Sequence, residues 1–136
     1  MITDTTESMN ATLQRLLHAI TDVNDSQIRA CCGTDVILQV PGARAVDLTQ
    51  ESRGADALAH WAKNVHELCG ATRFILHRFF ENGCEMMASG EIHIERFPRH
   101  FTSPCSIHVR FEAGLITSFQ LLVDTYALEK FRGEMD

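Results

Sequence analysis

Asn82-Gly83 lies between two runs of alternating apolar and polar residues, and no other feature constrains this 136-residue chain more. Both residue types tolerate positive φ, so the pair marks a tight β-hairpin. Pro98-Arg99 and Ala113-Gly114 punctuate the same half of the chain. Together the three signals divide it into four strand-like runs near 71–81, 84–96, 101–111 and 115–123. Short turns between consecutive strands predict an antiparallel meander, because parallel neighbours would need a crossover of a dozen or more residues.

The first half reads differently. Met9, Leu13, Leu16, Leu17 and Ile20 recur at helix spacing, with Ser8 the expected N-cap. A shorter helix follows, with Asp25 as cap, Ile28, Cys31 and Cys32 as its stripe and Gly33 at its end. Val36, Leu38 and Val40 alternate with Ile37 and Gln39, which predicts a strand over Asp35–Val40 stopped by Pro41-Gly42. Residues 43–53 read as loop. Leu58, Trp61, Ala62, Val65 and Leu68 form a third helical stripe closed by Gly70, and Asp124 heads a short closing helix near 126–132. Helices first and a meander afterwards imply one α+β domain over 1–136, with helices packed on one face of a curved sheet.

Composition excludes several classes. No apolar run approaches the roughly 18–20 residues of a membrane span, and Met1–Asn10 has no cationic patch ahead of an apolar stretch, so a secretory signal is not expected. Lys+Arg is 12 against Asp+Glu 18, and the formal charge of −6 disfavours nucleic acid as a partner. Five cysteines without a Cys-x-x-Cys pair suit neither a disulfide framework nor a zinc ribbon. A cytoplasmic protein without cofactor or metal is the expectation.

Two-residue turns also assign the sheet faces. His77 then opposes Ala88, Ile75 opposes Gly90 and Phe79 opposes Met86, and this face continues through Cys105, Ile107, Val109 and Phe111. A three-residue turn over Glu112–Gly114 would add Phe119, Leu121 and Val123. This nearly all-apolar face is the one the helices should cover. The other carries Phe74, Leu76, Arg78, Phe80, Met87, Glu91, His93, His108, Arg110, Gln120 and Leu122. It is too apolar for plain solvent, which predicts a homodimer through it.

Three groups of residues could carry chemistry. His77, placed inward beside the small residues Ala88 and Gly90, could act as a general base or hydrogen-bond donor near neutral pH. The competing reading is a core histidine with a structural partner. Asp124 could be a pocket acid, but its position favours a helix cap. Glu91, His93 and Glu95 alternate on one strand face, with His108 a possible neighbour. Without a converging third segment they read as a charge ladder, not a metal site. Cys69, Cys84 and Cys105 read as inert packing.

The order of elements, the strand Val36–Gly42, the glycine-led helix with Trp61 and the ending RFEAGLITSFQLLVDTYALEKFRG, with Gly114, Ile116 and Val123-Asp124, resemble the SnoaL-like, nuclear transport factor 2-like superfamily. The similarity is to its ketosteroid isomerase, limonene epoxide hydrolase and polyketide cyclase branch. It implies a cone-shaped, strongly bent sheet wrapped around N-terminal helices and an apolar cavity, usually in a dimer. The isomerases' carboxylate before the proline corresponds here to Val40, their tyrosine to Leu16 and their second acid to Ile107. The inward acid of the hydrolases and cyclases corresponds to Leu121. A proton-transfer enzyme needs a base, and these positions supply none.

The expected function is therefore binding of a small hydrophobic molecule in a cone cavity lined by Leu16, Val40, Trp61, Ile107, Phe119, Leu121 and Val123. An enzyme using His77 as acid/base on a lipophilic polyketide-, terpenoid- or steroid-like substrate is the alternative. A dimeric scaffold with a filled core is a third.

Overall fold

The computed structural model describes residues 5–42 and 50–135; the expected loop over 43–53 lies outside them as far as residue 49. The described elements run α1 (Thr5–Thr21), α2 (Asp25–Cys31), β1 (Cys32–Val40), β2 (Gln50–Arg53), α3 (Ala55–Leu68), β3 (Ala71–Asn82), β4 (Glu85–Arg96), β5 (Arg99–Glu112), β6 (Leu115–Val123) and α4 (Thr125–Met135). The strands form one six-stranded sheet in the order β2-β1-β6-β5-β4-β3. β1 runs parallel to β6, and every other pairing is antiparallel. Helices α1, α2 and α3 share one apolar cluster with the inner face of the sheet. The result is the expected α+β cone.

Element boundaries differ from expectation in several places. Helix α1 starts at Thr5, so Ser8 lies within its first turn. Asn24, not Asp25, caps α2, its side chain accepting from the backbone N–H of Gln27. Gly33 belongs to β1 instead of ending α2, and Gln50–Arg53, read as loop, is strand β2. That strand is four residues of polar sequence, and its partner β1 alone defines it, through pairs such as Leu38 with Ser52.

The hairpin loops are Gly83-Cys84, Phe97-Pro98 (with a cis peptide bond) and Ala113-Gly114. In the first, Gly83 at φ 63° takes the positive dihedral that a II′ turn asks of its first central residue. In the last, Ala113 at φ 53° and Gly114 at φ 80° are both left-handed, as in a I′ turn. The expected three-residue turn there is a two-residue turn followed by a bulge between Arg110 and Phe111, which still turns Phe119 and Leu121 inward.

Strand β3 departs from the expected register in two steps: the loop is Gly83-Cys84 instead of Asn82-Gly83, which moves the pairing by two residues and keeps its parity, and a bulge follows between Leu76 and Arg78. Beyond it Phe79 pairs with Ala88, whereas before it Leu76 pairs with Gly90 and Phe74 with Ile92. The extra residue reverses the parity of the strand's first half. Phe74 and Leu76, expected outside, pack against the core, and His77, expected inside, is on the outer surface.

Candidate functional site

The inner wall of the cone gathers residues distant in sequence. Ile107 and Leu121 are cross-strand partners, as are Val109 and Phe119, and Leu38 of β1 meets Phe119 from the other side. Leu16 of α1, Trp61 of α3 and Val40 of β1 close on the same cluster. Leu16, Ile107 and Phe119 are wholly buried, Leu121, Val40 and Trp61 nearly so, and Val123 is half-buried against them. Leu16, Val40, Trp61, Ile107, Phe119 and Leu121 are thus members of one apolar core cluster, with Val123 packed against it.

The buried polar side chains among the described residues are Thr12, Thr72, Ser103 and Thr125; no Asp, Glu, His, Lys or Arg is buried there. Ser103 is structural, donating to the Pro104 carbonyl while its hydroxyl oxygen accepts from the Asp124 N–H. Buried thiols are inert as well. Burial pushes the Cys32 thiol up to about 12 and those of Cys69 and Cys105 to about 11, and the thiolate is the reactive form. Cys84 is the exception to the packing expectation, since it lies exposed in its turn.

Titratable groups collect on the outer face instead. His77, in the bulge, donates from Nε2 to Glu91 Oε2 at 2.8 Å, and His93 donates from Nε2 to Glu91 Oε1 at 3.3 Å. The imidazoles of His77 and then His93 hold the Glu91 carboxyl below its ordinary range. Strand β5 extends the array: His93 Nδ1 is 3.3 Å from His100 Nε2, and the Thr102 hydroxyl is 2.8 Å from His100 Nε2 and 3.3 Å from His93 Nδ1. His108 does not join it. It donates to Glu85, whose carboxyl is lowered first by Arg110 and then by His108. Asp124 acts as a cap, its Oδ1 accepting from the Ala127 N–H at 2.9 Å.

Open hollows mark this outer surface, two of them the larger among those described. One, of about 660 Å³, is bordered by Gln39, Glu85, His108, Arg110 and Gln120; the other, of about 520 Å³, by His77, Arg78, Ser106 and Leu122.

His100 and Thr102 were missed from sequence. Their signal was the period-two alternation of β5, which turns both outward, but only the pairing of His93 with Thr102 sets them beside the histidine of β4.

With the cone and its wall in place, comparison with known proteins decides the family. The SnoaL-like domain family matches residues 13–119. The chain belongs to the SnoaL-like family. No curated protein matches it. Among solved structures, this SnoaL-like domain is similar to TerC co-crystallised with polyporic acid, at TM-score 0.82 and 16% identity over 93% of this chain and 98% of that one. It is similar to an NTF2-like protein of unknown function from Burkholderia pseudomallei, at TM-score 0.81 and 19% identity over 91% and 96%. It also resembles an LEH-like epoxide hydrolase of M. tuberculosis, at TM-score 0.76 and 16% identity over 96% and 93%. Identities this low establish a shared fold.

Leu16, Val40, Ile107 and Leu121 are all buried in the apolar cluster of the SnoaL-like domain. Among the described residues, no helix is long and apolar enough to cross a membrane.

Proposed function

We propose that this SnoaL-like protein binds a small hydrophobic molecule within its cone and performs no proton-transfer chemistry there. What carries this reading is the inner wall: apolar from Leu16 to Leu121, with no buried ionisable carboxylate, imidazole or cation among the described residues. A ligand that opened space against these residues would bury apolar surface, worth about 25 cal/mol per Å², and would meet nothing able to move a proton. TerC, of the same fold, was crystallised with a small organic molecule, polyporic acid. Five free cysteines suit a reducing compartment, so the cytoplasm is the proposed location.

Trp61 is the sole tryptophan and is buried in this wall, so its emission reports on the interior. A native mass spectrum beside a denatured one should reveal extra mass lost on denaturation. The species so identified, added back, should shift Trp61 emission and raise the melting temperature. A bare protein whose tryptophan ignores a panel of polyketides, terpenoids and steroids would instead indicate a scaffold with a filled core.

An enzymatic reading keeps one specific support. His77 and Glu91 form a 2.8 Å pair at the rim of the 520 Å³ hollow, an arrangement fit for acid/base work on a lipophilic substrate outside the cone. Turnover that disappears in His77→Ala would favour it. We also infer a homodimer through the outer face, where Phe80, Met87 and Leu122 are 57%, 45% and 46% exposed beside the His–Glu pairs. Light scattering should return twice the chain mass.

A further inference from the structure

We propose that His93 and His100, with the Thr102 hydroxyl, form a binding site for a divalent transition-metal ion on the outer face near the Phe97-Pro98 turn. His93 Nδ1, His100 Nε2 and Thr102 Oγ1 make a triangle with sides of 3.3, 2.8 and 3.3 Å. Nitrogen ligands about 2.0–2.1 Å from a metal, at coordination angles of about 90–110°, stand about 2.9–3.4 Å apart. The two ring nitrogens meet that spacing.

The surrounding groups prepare the site. His93 donates its Nε2 proton to Glu91, and in the neutral ring that leaves Nδ1 with a free lone pair turned toward His100. A carboxylate behind a ligating imidazole is the common outer partner of metal-binding histidines, fixing both tautomer and ring orientation. Glu91 is itself held by His77 on its other oxygen. Two imidazoles select zinc, copper or nickel over magnesium or calcium. Among the described residues no three His, Cys, Asp or Glu side chains converge on one point. Water must therefore complete the coordination, which makes the site open and exchangeable, unlike a closed structural zinc centre.

The test is a Zn2+ titration of the Cys84→Ser protein, which removes the one exposed thiol, followed by calorimetry and by ring 1H–15N NMR of the seven histidines. One Zn2+ per chain is expected, perturbing the ring nitrogens of His93 and His100 and leaving those of His18, His60 and His66 unmoved. His93→Ala and His100→Ala should each weaken binding more than tenfold, and Glu91→Gln about tenfold. His108→Ala should change nothing. Absence of binding at millimolar Zn2+, or an affinity in His93→Ala or His100→Ala unchanged from that of the Cys84→Ser protein, would overturn the proposal. Neither outcome bears on the interior of the cone.

Discussion

Gly90 shows how one residue sets the surface chemistry. A Cβ there would lie 2.0 Å from the Ile75 carbonyl oxygen and 2.8 Å from the Leu76 Cα. Both contacts are backbone, so no side-chain rotation relieves them. They lie on the strand that bulges at His77, and the close approach permitted by glycine is part of that bulge. Gly90→Ala should therefore cost about 3 kcal/mol, read as a lower urea midpoint. Its His77 resonances should also lose the signature of the Glu91 contact. A fully folded Gly90→Ala protein of parental stability would mean the bulge does not depend on this approach. From sequence, Gly90 was legible only as room beside His77; that the room is taken by backbone depends on the pairing of β3 with β4.

At the scale of elements, helices were legible because an apolar stripe and its caps are local. Leu58, Trp61, Ala62 and Val65 are buried as the spacing required, and Asp124 caps α4 as its position suggested. Removing that acceptor leaves a helix-end N–H unpaired. Asp124→Ala should thus lower stability by about 1 kcal/mol without altering the sheet, a change that thermal unfolding would resolve. Strands were legible in existence and less so in extent. Polar β2 has no alternation to announce it, and bulges in β3 and at the start of β6 leave no mark in a single sequence.

For the whole molecule, charge sits outside and apolar surface inside, so acid acts first on the outer pairs. The Glu91 carboxyl, beside His77 and His93, and the Glu85 carboxyl, beside Arg110 and His108, are both held below their usual 4.5 in the folded protein. A carboxyl depressed by folding contributes stability above its unfolded value, and that contribution fades as pH falls through the folded one. The melting temperature should therefore decline from about pH 4.5 downward. The Glu85→Gln/Glu91→Gln protein should show a shallower decline, and both groups being only partly buried, the difference will be small. An identical slope in the two proteins would assign acid sensitivity elsewhere. The sequence by itself determined the α+β class, the meander with its three tight turns, and the apolar face through Ile107, Phe119 and Leu121. Periodicity and turn chemistry act over a few residues and survive in any register of the same parity. Only the tertiary structure decided that His77 faces outward, that β1 lies parallel to β6, and that His93, His100 and Thr102 converge. Each depends on which residue of one strand stands beside which residue of another, and a single extra residue in a bulge changes that without altering the local pattern.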